Sequence, residues 1–213
     1  MKMSLNIQPK HFPNVGFLEI KLFPEAVTFL KKCVKNKKSS YKWNLAGNIK
    51  ESWLLTDKKD WFFNNVLMDC INSYVENFKV HGVVHNQLTK NCGYCLNNMW
   101  VNFQKKHEFN PMHTHGGVFS FVVWIDIPYD YSKEHLLPFA QDSNDPSASD
   151  FSFVYTNILG NIESHTYSLN KDWNGYMLFF PAKLNHLVYP FYTSDKKRIS
   201  ISGNIALNVE DVK

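Results

Sequence analysis

Apolar positions in the first third of the chain recur at steps of three and four. Phe23-Pro24-Glu25 sets a proline and an acid where a helix opens, and Ala26, Val27, Leu30, Cys33 and Val34 follow at helical spacing. Lysines crowd the far end, where they offset the helix dipole. A second helix is predicted after Thr56-Asp57. Its rows Phe62, Val66, Cys70, Tyr74, Phe78 and Phe63, Leu67, Ile71, Val75 make a broad apolar face that must lie against something large and flat, a sheet. From about Tyr94 the period falls to two, with polar Asn98, Asn102 and Gln104 alternating with Met99, Val101 and Phe103.

Strand-like runs then repeat over 94–105, 118–127, 151–156, 163–169, 176–181, 186–190 and 198–207, separated by clusters of Gly, Pro, Asn and Asp. That spacing suits an antiparallel barrel or sandwich. Helices first and strands later predict an α+β fold, a jelly roll with N-terminal helices packed on one face. The organisation expected is a single domain over 1–213, with helical support over about 1–90 and the jelly-roll core over about 91–208. The polar stretch 129–150 is too long for a tight turn and reads as a mobile loop or lid.

Composition narrows this picture. With 213 residues, 44% hydrophobic, and a net charge of +4, the chain suits one well-cored domain. The apolar run 118–127 is far short of the ~20 residues a membrane span needs, and 1–13 lacks the apolar core of a signal peptide, so no membrane partner is expected and the reading is cytoplasmic. Cys33, Cys70, Cys92 and Cys95 do not make a disulfide framework; Cys92-Gly-Tyr-Cys95 lacks a second ligand pair and reads as incidental thiols. The lysines are scattered over separate segments, which argues against a nucleic-acid face. Arg198 is the single arginine among 23 basic residues, as if it stood where lysine cannot substitute.

Candidate chemistry concentrates in four places. In His113-Thr114-His115, residues i and i+2 on extended chain project to one side and can share a metal, although ordinary histidines fit the same pattern. His186 follows the apolar run 175–181 and would be presented at a strand start, and three histidines meeting at a barrel mouth would form a facial triad for a non-haem ferrous ion. Arg198 opens a strand whose polar face, with Ser200, Ser202 and Asn204, looks inward. A guanidinium inside a barrel needs an anion, and a planar carboxylate matches its paired donors; the alternative is a surface arginine paired with an acid. His11, His81, His85, His107, His135 and His165 lack a partner pattern, and Trp100 and Trp124 read as core aromatics.

These pieces resemble the 2-oxoglutarate- and Fe(II)-dependent oxygenases. The resemblance rests on His113-Thr114-His115, the later His186, and Arg198-Ile199-Ser200, set in the wider strings 110–117, 178–181 and 198–204, and it spans roughly 43–204. The strings are similar to a subgroup found in bacteria and marine phages that carries H-x-H where the general family has H-x-D. The resemblance implies a double-stranded β-helix, Fe(II) held by His113, His115 and His186, and 2-oxoglutarate held by Arg198 and Ser200, with Asn102 as a further cofactor-binding side chain and Gln104 on its face. It implies a dioxygenase, most simply a hydroxylase; the aromatic content and the loop 129–150 fit a peptide, a nucleotide or a small metabolite as substrate about equally. His115 replaces a carboxylate, so the site is one negative charge poorer if it ligates; otherwise two protein ligands remain. Leu45-Ala46-Gly47-Asn48-Ile49 falls within the resemblance without a chemical account. Two other readings stand beside it: a three-histidine, cupin-like metal enzyme that ignores 2-oxoglutarate, and a non-catalytic jelly-roll binding module or phage accessory protein.

Overall fold

Two sheets, one long and one short, face each other across the interior, and the helices close the outside of the larger. The computed structural model describes residues 15–78 and 93–208. Its strands are β1 (Leu18–Lys21), β2 (Ser52–Leu54), β3 (Gly93–Gln104), β4 (Asn110–His113), β5 (Phe119–Asp126), β6 (Phe151–Thr156), β7 (Ile162–Tyr167), β8 (Tyr176–Pro181), β9 (Asn185–Val188) and β10 (Arg198–Asn208). The six-stranded sheet runs β1-β8-β5-β10-β3-β2 and the four-stranded sheet β4-β9-β6-β7, with every pairing antiparallel. This is the expected jelly roll with helices on one face.

The helices form for the reasons their sequence gives. α1 (Pro24–Lys35) has proline at its start, Glu25 in the first turn, and Lys32 and Lys35 in the last; Ala26, Leu30 and Cys33 are its buried stripe. Asp57 starts the second helical segment by accepting from the Phe62 and Phe63 amides at 2.9 and 2.8 Å. A wide turn at Phe63–Leu67 leads into α2 (Met68–Asn77). Phe62, Val66, Leu67, Cys70, Ile71 and Tyr74 pack with α1 against Met99, Val101, Phe119, Phe121, Val123, Phe179, Ile201 and Ile205 of the larger sheet.

Alternation along the central strands separates this core from the interior. β10 pairs with both β3 and β5, so Ile199, Ile201 and Ile205 meet the helices while Arg198, Ser200 and Ser202 line the space between the sheets. A second core, with Val122, Trp124, Phe151, Phe153, Leu178 and Phe180, fills the remainder of that space. Cys33 and Cys70 are buried, and burial pushes their thiols up to about 11 and about 12, so they are inert packing groups. Cys92, His11, His81 and His85 lie outside the described residues. No helix among the described residues is long and apolar enough to cross a membrane.

Two expectations are corrected. The N-terminal third is not purely helical support, because β1 and β2 extend the larger sheet at opposite edges. The stretch 129–150 is anchored, not a free lid. It includes a one-turn helix, Tyr131–Glu134, and the fully buried Glu134 carboxylate accepts from the amides of Tyr192 (2.8 Å) and Thr193 (2.9 Å) and from the Thr193 hydroxyl (2.5 Å). His135 Nε2 donates to Ala148 O (3.1 Å) and Asp150 Oδ1 (3.2 Å), while burial, opposed by His135, pushes Asp150 up to about 6.

Ser149 carries the strain of this anchorage. Its φ is 71°, it is fully buried, and its hydroxyl has no hydrogen-bond partner among the described residues. A left-handed residue with a side chain costs about 1 kcal/mol and an unsatisfied buried hydroxyl about 1–3 kcal/mol. Ser149→Gly removes both, so it is expected to raise the free energy of unfolding by about 1 kcal/mol after the added chain entropy of glycine, measured by urea denaturation. A less stable variant would show that the hydroxyl is satisfied in solution.

Candidate functional site

β4 and β9 run antiparallel with His113 opposite His186, so two imidazoles meet across one pair of backbones. His115 lies two residues beyond His113, where its amide donates to Ala182 O (2.8 Å) and that of Val118 to Ile205 O (2.8 Å), pinning the chain between the sheets. Gly117 makes this turn possible. Its φ is +94°, and a Cβ there would stand 2.6 Å from Ile205 O.

The three rings converge. Their candidate ligand nitrogens lie within 4.8 Å of one another, and Nε2 of His115 is 3.1 Å from Nε2 of His186. Two imidazole nitrogens about 2.1 Å from one ion and at right angles to each other stand about 3 Å apart, so this pair has the spacing of two ligands on one metal. Nδ1 of His113 donates to Pro111 O (2.7 Å) and Nδ1 of His186 to Leu184 O (2.9 Å), which leaves the Nε2 lone pairs free for an ion. Phe151 and Phe180 pack on His186, and Trp100 on His115. Burial pushes His115 down to about 4 and His186 down to about 3, neighbouring imidazoles adding to it, and lowers His113 as well. Neutral rings with free lone pairs are what a divalent cation requires.

Behind the rings is a cavity of about 210 Å³, lined from the larger sheet by Ser52, Asn102, Gln104, Arg198, Ser200 and Ser202. It is smaller than the ~300–1,000 Å³ of drug-sized pockets and suits a small ligand. All six site residues expected from the sequence, His113, His115, His186, Arg198, Ser200 and Asn102, line it. Trp100 and Trp124 are buried, as expected of core aromatics, and also form part of its wall.

Arg198 is only 1% exposed, yet no carboxylate among the described residues stands within ion-pair distance of its guanidinium. The surface-arginine alternative is thereby excluded. The expectation that its paired donors lie open for a carboxylate is also corrected. Nε and Nη2 both donate to Gln104 Oε1, at 3.2 and 2.7 Å, Nη1 donates to the Tyr129 hydroxyl and to Ser149 O (2.9 Å), and Nη2 donates to Tyr189 O (3.1 Å). All five N–H groups therefore meet neutral oxygens. Asn102 is arranged differently: its Oδ1 accepts from the Ser52 hydroxyl at 2.7 Å, and among the described residues its amide nitrogen and the Ser200 hydroxyl have no hydrogen-bond partner.

Sequence reasoning missed Ser52, Tyr129 and the contact of Gln104 with Arg198. Ser52 sits on a three-residue strand too short to show a period, and Tyr129 and Arg198 are 69 residues apart. Leu45, Ala46, Gly47 and Ile49, previously without a role, line the same cavity beside Asn110, and the Asn48 amide donates to Phe109 O at 2.8 Å.

Residues 98–204, half of the chain and the span holding all six expected site residues, match the model of a family described as "Putative 2OG-Fe(II) oxygenase". A search of curated proteins found no match. Among solved structures, a Pseudomonas putida prolyl-4-hydroxylase is similar with a TM-score of 0.50 at 10% identity, over 90% of this chain and 92% of that one. A Trichoplax adhaerens prolyl hydroxylase in complex with a hypoxia inducible factor peptide fragment gives 0.45 at 14% identity, over 90% and 83%. A 2OG-Fe(II) oxygenase family oxidoreductase from Burkholderia pseudomallei gives 0.38 at 14% identity, over 57% and 49%. The first of these likenesses supports the fold, and the family match supplies the chemistry that converging imidazoles and a buried, unpaired guanidinium suit: this chain belongs to the 2OG-Fe(II) oxygenases, dioxygenases that use Fe(II) and 2-oxoglutarate.

Proposed function

We propose that His113, His115 and His186 hold the ferrous ion, that Ser200, Asn102 and the charge of Arg198 receive the distal carboxylate of 2-oxoglutarate, and that the reaction ends in hydroxylation of a C–H bond. The observation that carries this reading is the pairing, around one cavity, of three neutral imidazoles with a buried guanidinium that has no acid partner among the described residues. When bound, iron and 2-oxoglutarate supply the activation of oxygen, with the keto acid decarboxylated to succinate and carbon dioxide.

The protein's share is placement. Pro111 O and Leu184 O hold two rings by Nδ1, Trp100, Phe151 and Phe180 keep the metal side dry, and Arg198 sets a positive charge where the second carboxylate lies. A cupin-like enzyme that ignores the keto acid has no use for that buried charge, and a non-catalytic module has no use for imidazole nitrogens within 4.8 Å. The place of work we propose is the cytoplasm, where ferrous iron and the free thiols of Cys33, Cys70 and Cys95 stay reduced. Peptides, nucleotides and small metabolites form the substrate panel, with peptides tried first because of the likeness to a prolyl-4-hydroxylase.

The purified protein is expected to bind Fe(II) and convert 2-oxoglutarate slowly to succinate without added substrate. The double variant His113→Ala, His186→Ala should lose both iron, by metal analysis, and succinate formation. Retained iron would refute the assignment of the ligands, and a wild type indifferent to 2-oxoglutarate would favour the cupin-like reading.

Arg198→Lys is expected to weaken 2-oxoglutarate binding on the order of tenfold or more, by anaerobic titration, because three ammonium donors cannot serve the acceptors that five N–H groups now serve. Unchanged affinity would remove Arg198 from the cofactor site.

The neutral imidazoles also set the acid limit of the metal-free protein. Each ring takes up its proton below the ordinary histidine value of 6.5, His115 only near 4 and His186 near 3, so the native state binds fewer protons than the unfolded chain and loses stability as pH falls below 6.5. Asp150, raised to about 6, acts in the opposite sense between that value and 3.8. Three rings outweigh one carboxyl. The melting temperature of metal-free protein should therefore fall between pH 6.5 and 4, and less steeply in His115→Ala; an equal slope in both would show that His115 is not the buried neutral ring described.

A further inference from the structure

Cross-strand register makes two polar pairs on the interior face of β3 and β10. Ser200 stands opposite Asn102, and Arg198 opposite Gln104. Among the described residues the first pair keeps free donors, whereas in the second all five N–H groups of Arg198 are committed. Gln104 is held from both ends, since its Nε2 donates to Glu108 O at 2.5 Å, which turns Oε1 toward the guanidinium, where it accepts from Nε and Nη2. Among the described residues that line the cavity none is acidic, and Arg198 alone carries a permanent charge.

A carboxylate at position 104 would make the same two contacts with Arg198 and cancel its charge, whereas an amide makes them without doing so. We propose that Gln104 is a positioning residue for 2-oxoglutarate, its neutral amide holding the fork of Arg198 in register while leaving the positive charge uncancelled for the distal carboxylate. The distal carboxylate then takes its hydrogen bonds from Ser200 and Asn102 and its charge partner from Arg198. This rests on the assignment of Arg198 above, and it adds a residue whose side chain need not touch the ligand.

The test compares two keto acids that differ only at the distal end, 2-oxoglutarate and 2-oxopentanoate, titrated calorimetrically into Fe(II)-loaded protein without oxygen. Wild type should prefer 2-oxoglutarate strongly; no preference would overturn the assignment of Arg198 itself. Gln104→Glu should reduce that preference on the order of tenfold or more while leaving iron content and 2-oxopentanoate affinity unchanged. Gln104→Met, which removes the acceptor without adding charge, should reduce it severalfold, and it keeps the test open if the glutamate form fails to fold. An undiminished preference in the variants overturns the inference, as does an equal loss of both keto acids, which would make Gln104 mere scaffold.

Discussion

The molecule depends on a guanidinium kept out of water without an acid beside it. Removing a charge of that size from solvent costs several kcal/mol, and the usual remedy is a carboxylate partner. Arg198 instead collects five neutral contacts from four places: Gln104 at the end of β3, Tyr129 and Ser149 at the two ends of the 129–150 stretch, and Tyr189 just after β9. One side chain thereby ties both sheets and the connecting segment together. Its solvation is replaced but its charge is not, so that end of the cavity remains attractive to an anion.

The metal end follows the same economy of charge. Three neutral imidazoles can hold a divalent ion but cannot offset it, since H-x-H has taken the place of H-x-D. Among the described residues no acid lines the cavity to compensate. On the proposed ligation, Fe(II) would make both ends positive, and a ligand with a carboxylate at each end would balance them. A dicarboxylate keto acid would then complete the electrostatics of the cavity, and its binding should stabilise the fold as well as the metal.

Much of this was legible in the sequence, and the omissions have physical causes. Long strands announce themselves, β3 and β10 by alternation and β5 and β8 as unbroken apolar runs bounded by turn residues, and the inward face of Arg198 and Ser200 followed from alternation alone. β1, β2 and β4 are three or four residues long, and β4 carries Pro111, which reads as a turn. The stretch 129–150 read as mobile because the partners that anchor its Glu134, the backbone amides of Tyr192 and Thr193, lie 58 and 59 residues away. Gln104 was placed on the right face but not opposite Arg198, because register between strands 94 residues apart is not written in either strand.

The segment 45–49 shows how a motif without chemistry of its own can still belong to a site. Leu45, Ala46 and Ile49 give the cavity an apolar wall, and the bond from the Asn48 amide to Phe109 O fastens that wall to the approach of β4, which ends at His113. A Cβ at Gly47 would overlap Asn110 Oδ1, so any side chain there would have to displace that of Asn110. Its residue types answer to contact and not to catalysis: the wall and β4 are fitted to one another, and a change that lifts the wall would meet the cavity at Asn110, three residues before the first imidazole.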